Sequence, residues 1–481
     1  MATTTQLEPV VSETYQLDRR PINPPTKSDE PPGHQSDPAE SNANQVPYLK
    51  LISAGFSFFV AGVNDGSTGA LVPFIIRDYG INTAIVSSVY GANFMGWFLT
   101  ALTNTHLSQK LDLGAMLMLG AVLQVIAHAL RFWRPPFELY AVTFWLVSLG
   151  QAYQDTHGNT FVTTMKGAAH RWLAFIHSMY MAGCFCGPFV ATAVSSAGET
   201  SRWYLFYCLP LALGVINVIL VFYAFRETVG FKPKQSSHMA TTSVDAEAAT
   251  DPDTHTPPDT SEDTSASSLI RETLKTRSVW LLSIFFFFSI GATLTASSWV
   301  VEYLVEIRDG DLSKMGYVSV GFNGGSLLGR IFLAEPTHRF GVRKMIFIYS
   351  VLSIGLHVLF WQVPNIIAAS ISISLLGFLM GPYFATASLF LLLPASLNTA
   401  HGVSVGSKLF APRIYSTGLA FVFVFAQLGA CFFPIVTGAI ASQIDVSVMQ
   451  PILCALLVAT SISWLFVPNP KESENTALHH E

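Results

Sequence analysis

The chain has 481 residues, of which 51% are hydrophobic and only 12% charged, with a net charge of −5 at neutral pH. A soluble protein carries about 25% charged residues, so a freely soluble globular enzyme is excluded. The lack of a basic excess also argues against nucleic acid as a partner.

Residues 1–47 are polar and proline-rich (PINPPTKSDEPPGHQSDPAE). They bury too little apolar area to offset the entropy of ordering and read as a disordered tail. No apolar leader follows the first methionine, so no cleavable signal peptide is expected. Roughly 20 apolar residues cross a bilayer, and runs of that kind fall at 49–73, 82–105, 113–133, 137–161, 171–196 and 203–225. Six more fall at 277–304, 314–334, 345–363, 366–392, 414–440 and 448–468. Twelve spans make this an all-α membrane protein with two six-helix halves, 48–226 and 277–468. A disordered acidic linker at 227–276 joins the halves, and a short tail follows at 469–481. Lys and Arg favour the cytoplasmic side. With a cytoplasmic N-terminus, Arg77, Arg131, Arg134, Arg202, Arg308 and Lys314 lie outside and most other basic residues inside. Both termini are then cytoplasmic, and the plasma membrane is the expected location, with the chain a monomer.

The halves echo each other. GCFCGPFVATAVSS from Gly183 parallels GACFFPIVTGAIAS from Gly429, with Gly183/Gly429, Pro188/Pro434, Val190/Val436 and Ala193/Ala439 in register. Gly91-Ala92-Asn93 likewise parallels Gly321-Phe322-Asn323. Repeated halves are the mark of transporters that rock about a central site.

In the first span the stretch AGVNDGSTG (61–69) places Asn64 and Asp65 among Gly62, Gly66 and Gly69. A carboxylate at bilayer depth costs about 2.5 kcal/mol or more, so it must face a cavity or a partner. Asp65 can carry a proton from one side to the other, or hydrogen-bond a polar substrate directly. The competing reading is a cap or interhelical bond where the glycines break the helix, and the glycines themselves suit close helix packing. Asp155 and Gln154 near the end of the fourth span, and His177 six residues into the fifth, lie at similar depth. At 1.5 Å per residue both Asp155 and His177 sit about 10–17 Å from the loop that joins these spans. They can pair across antiparallel neighbours as a proton relay or as a static contact. Gly187-Pro188 removes a backbone donor and reads as a hinge. Trp299 follows the polar run TLTASS and can stack on a ring-shaped cargo.

The loop GRIFLAEPTHRFGVRK (329–344) resembles the signature loop of the major facilitator superfamily, with Arg339, Gly341, Arg343 and Lys344 in place and His338 where an Asp is usual. Arg330 opens the same loop. The resemblance implies gating by charge contacts between helix ends, with anionic lipid as the other possible contact. The segments GVNDGSTGALVPFI, QDTHGNTF, HRWLAFIHSMYMAGCFCGPFVAT and MGYVSVGFNGGSLLGRIFLAEPTHRFG resemble a fungal branch of that superfamily, the bypass-of-stop-codon type. It is related to the fucose and glucose proton symporters. The resemblance implies twelve helices and secondary active transport, often coupled to protons; no cofactor and no metal are expected. Relatives of this kind carry a Glu in the seventh span where this chain has Thr293. Residues 406–421 look like extra sequence between spans ten and eleven, either a genuine insertion or an error in the gene's reading.

No P-loop, zinc-protease helix or nucleophile elbow occurs, so neither ATP-driven transport nor membrane enzymology is expected. The expected function is secondary transport of a small organic solute, by uptake of a polar compound or efflux of a secondary metabolite. The alternatives are a non-transporting receptor on the same scaffold and a compromised product of a faulty gene reading.

Overall fold

The computed structural model describes residues 48–165, 169–198, 200–231, 266–392 and 414–467. The tail 1–47, most of the acidic linker, the first part of the 406–421 segment and the final tail lie outside the described residues. Among the described residues there are twelve helices of eighteen residues or more. The first six are α1 (Tyr48–Tyr79), α2 (Thr83–Lys110), α3 (Leu113–Arg131), α4 (Phe137–Thr163), α5 (Ala169–Ser195) and α6 (Cys208–Phe225). The second six are α7 (Arg277–Glu306), α8 (Leu312–Phe332), α9 (Val342–Gln362), α10 (Ile366–Leu392), α11 (Tyr415–Ala441) and α12 (Met449–Phe466).

Ten of these are long and apolar enough to cross a membrane. The other two, α4 and α8, are as long as their neighbours but carry polar side chains, among them Gln151, Gln154 and Asp155 in α4 and Asn323 and Arg330 in α8. Packing holds them in the bundle: α4 lies against α2 and α3, and α8 against α5 and α10. The end of the linker is helical too, at Ala266–Lys275. Its Leu269 seats against the core, which gives this stretch a reason to order that the linker's composition hides.

Helix ends are set by local chemistry. The Asn82 side chain accepts from the Ile85 N–H at 2.9 Å and starts α2. Asp311 does the same for Ser313 before α8, and Asp445 for Ser447 before α12. The Ser313 and Ser447 hydroxyls, together with these N–H groups, hold both carboxyls below the usual range. Gly341, at φ +92°, ends the short helix Ala334–Phe340 and turns the chain into α9.

The packing repeats with the sequence. The α1·α5, α3·α6 and α2·α4 pairs recur as α7·α11, α9·α12 and α8·α10, and the halves meet through α2·α11 and α5·α8. The repeated glycines explain the tightest pairs. A methyl group at Gly183 would strike the carbonyl oxygen of Phe59, and one at Gly429 that of Phe287, the equivalent residue in the second half. Gly62 meets the Tyr180 carbonyl in the same way, and Gly187 that of Val63. Close backbone approach of this kind replaces the hydrophobic drive that helices lack in lipid.

Candidate functional site

α1 runs unbroken through residues 61–69, so the glycines do not interrupt the helix: Gly62 and Gly66 serve the α5 contact, and Gly69 serves a contact with α7. The Ser67 and Thr68 hydroxyls return to the Asn64 carbonyl oxygen at 2.7 and 3.3 Å, which satisfies them within the helix. Asp65 is half-buried. Its Oδ1 accepts from Asn64 Nδ2 at 2.9 Å and from Gln151 Nε2 of α4 at 3.0 Å. Its Oδ2 accepts from the Tyr180 hydroxyl of α5 at 3.0 Å. Three donors from three helices therefore converge on one intramembrane carboxylate, which makes this the best-built polar site in the first half.

Asn64 joins that site to a second group. Its Oδ1 accepts from Arg131 Nη1 at 2.7 Å, while Arg131 Nε donates to Thr143 Oγ1 at 2.6 Å. Arg131 reads from sequence as an outside charge at a span end. In the fold it is fully buried, with its guanidinium 4.0 Å from the Phe144 ring centroid and 5.1 Å from that of Tyr207. The available signal was spacing: Gln124, His128 and Arg131 recur at helical intervals on α3, and all three are buried.

The other expected site residues separate. Gln154 faces away from Asp65: its Oε1 accepts from Gln124 Nε2 at 2.7 Å and from Asn217 Nδ2 at 3.4 Å. Asn217 in turn accepts from the Ser57 hydroxyl at 2.9 Å, so this network bolts α1, α3, α4 and α6 together. Asp155 bonds to Asn159, one turn along its own helix. His177 lies edge-on to Phe58 at 5.3 Å and within electrostatic reach of Arg330. Thr293 returns its hydroxyl to the Ser289 carbonyl at 2.9 Å. Trp299 is fully buried, and its indole N–H donates to the Pro434 carbonyl at 3.1 Å, against Gly438 of α11. Gly187 and Pro188 lie inside a continuous α5.

The signature-loop residues divide between two tasks. Arg330 points to α5, where its charge reaches His177, Tyr180 and Cys184. Arg343 Nη2 donates to the Leu465 carbonyl at 3.0 Å, and the Trp464 indole donates to the Arg343 carbonyl at 2.9 Å, tying α9 to the end of α12. Arg339 reaches the ring of its neighbour Phe340 at 6.0 Å, and Lys344 is exposed.

At the bundle end opposite Arg343, the halves are latched. Arg77 Nη1 donates to Glu302 Oε2 at 2.8 Å, from α1 to α7. Thr83 donates to the Gly438 carbonyl at 2.9 Å, Ser196 to the Ser313 carbonyl at 3.2 Å, and Gly69 lies directly against the Ser297 carbonyl. Neither Arg77 nor Glu302 stands out in the sequence, because each sits near a span end where charge is ordinary.

Comparisons with known proteins agree with this architecture. A curated relative is bypass of stop codon protein 6 of Saccharomyces cerevisiae, 25% identical over 442 residues, covering 89% of this chain and 84% of the yeast protein. Among solved structures, a bacterial homologue of the human lysosomal transporter Spinster, inward-facing and unoccupied, matches with a TM-score of 0.59 at 13% identity. The match covers 88% of this chain and 94% of that one. The Escherichia coli fucose:proton symporter FucP matches with a TM-score of 0.58 at 15% identity, covering 88% and 100%. The family model described as Major Facilitator Superfamily matches residues 54–404. With that match over most of its length and the repeated six-helix halves, this chain belongs to the major facilitator superfamily of membrane transporters.

Proposed function

We propose that this transporter couples movement of a small organic solute to protons, and that Asp65 is the group that binds the proton. The observation that carries the reading is the site itself: one half-buried carboxylate at the middle of a membrane helix, met by Asn64, Gln151 and Tyr180. An ionisable group inside a membrane is costly, so one that is retained points to function. Here it stands beside the crossing of α1 and α5 within the first half, and α5 in turn packs against α8 of the second half. The structural neighbour named as a fucose:proton symporter makes proton coupling a reasonable assignment for the same fold. Thr293, the counterpart of Asp65 in the repeat, supplies no carboxylate, so the first half carries the coupling in this reading.

The Arg77–Glu302 end is the external face in this reading. The latches there describe a state closed to the outside, and alternating access requires all of them to part. Both termini and the Arg339–Lys344 loop are cytoplasmic, and the plasma membrane is the assigned location.

The test is transport of a panel of labelled polyols, sugars, organic acids and aromatic metabolites in vesicles under an imposed pH gradient. Wild type should accumulate or expel one class in response to the gradient. Asp65→Asn should bind that class but lose the response. Equal responses from both proteins would remove Asp65 from the coupling role.

A further inference from the structure

The Asp65 site is not self-contained. Arg131 is buried with no exposure at all, and its guanidinium lies among Phe144, Tyr207 and Tyr140 at 4.0, 5.1 and 5.7 Å. None of the ion pairs among the described residues includes it. A cation in such surroundings is costly unless a negative charge compensates it. Ring faces help, but they do not neutralise a full charge. The carboxylate that does is one amide away: Asn64 accepts from Arg131 Nη1 at 2.7 Å and donates to Asp65 Oδ1 at 2.9 Å. The orientation of that amide is fixed from both sides, since only its oxygen can accept from a guanidinium and only its nitrogen can donate to a carboxylate.

We propose that Arg131 is the counter-charge of Asp65, acting through the Asn64 amide, and that it governs proton uptake by that carboxylate. This inference rests on the reading of Asp65 as the proton site, but its test does not require transport. The other groups that face Asp65 are Gln151 from α4, Tyr180 and Cys184 from α5 and Cys431 from α11. None of them is a cation. Arg330 of α8 reaches Tyr180 and Cys184, and Tyr90 of α2 turns to Ser298 and Cys431. The positive charge assigned to Asp65 itself is therefore that of Arg131, which makes Arg131 a positioning residue for the proton step.

The experiment is infrared difference titration of the full-length protein in nanodiscs, following the band of a protonated carboxyl group. Asp65→Asn assigns the band by removing it. Arg131→Gln should raise the midpoint of that band by about one pH unit, tenfold in proton concentration, because the ionised carboxylate loses its counter-charge. Arg131→Lys, which keeps the charge, should stay near wild type. Should Arg131→Gln fail to fold, Asn64→Ala serves instead: it cuts the bridge while leaving both charges and should move the midpoint in the same direction by less. Midpoints at the wild-type value in the folded Arg131→Gln or Asn64→Ala protein would overturn the proposal. An Asp65 band that shifts as expected while Asp65→Asn still responds to a pH gradient would leave this inference standing and remove the coupling role.

Discussion

The latch between Arg77 and Glu302 offers the sharpest energetic prediction. Glu302→Gln keeps the shape and a hydrogen-bond acceptor but removes the negative charge. The pair is asymmetric, with the Glu302 side chain 3% exposed and Arg77 40% exposed. An exposed ion pair contributes about 0–1 kcal/mol, and breaking a buried pair costs about 3–5 kcal/mol. Because Arg77 can turn to water, the change should cost the latched state about 1–2 kcal/mol, intermediate between those limits. That corresponds to a shift of about 5- to 30-fold in the balance between latched and parted states. Backbone hydrogen exchange read by mass spectrometry measures it directly, since exchange through an opening follows the population of the open form. Peptides covering 77–85 and 302–316 should exchange faster by that factor. Peptides from α3, α6, α9 and α12 should not change. Unaltered exchange in the latch peptides, or a rise spread evenly over all helices, would refute the reasoning.

Further outcomes follow from the packing and the polar networks. Gln151→Ala should weaken gradient-driven transport while leaving thermal stability near wild type. Gln154→Ala should do the reverse, costing about 1–3 kcal/mol by leaving Gln124 and Asn217 unsatisfied; comparison of melting temperature with vesicle transport separates the two. Gly62→Val must push α1 off the Tyr180 carbonyl and should lower stability by about 1–3 kcal/mol, seen as a lower melting temperature in detergent. Asp311 is held ionised by Ser313 at the start of α8. Its contribution is therefore present above about pH 4, the ordinary Asp value, and is lost as pH falls below it. The melting difference between wild type and Asp311→Ala should accordingly vanish in acid.

Much of the architecture was legible because bilayers impose length and apolarity. The matched glycines at 183 and 429 are the clearest case: the repeat in the letters became the same close crossing in both halves. α4 and α8 show where that signal thins, since helices that line a polar interior give up the apolarity that identifies a span. Asp65 stood out because one carboxylate in an apolar run has few innocent explanations. Arg131 did not, because a charge at the end of a span is the ordinary case, and only burial separates the two situations. Gln151 and Gln154 are three residues apart on one helix, yet one meets Asp65 and the other the α3–α6 network. Spacing along one helix cannot decide which neighbour each side chain will meet.

The central claim is that Asp65 links solute movement to proton movement. The direct measurement uses liposomes with a trapped pH-sensitive dye and no imposed gradient, to which a transported solute is added. Wild type should move protons with the solute. Asp65→Asn should still exchange labelled for unlabelled solute across the membrane but should move no protons. An Asp65→Asn protein that carries protons with the solute as wild type does would contradict the account.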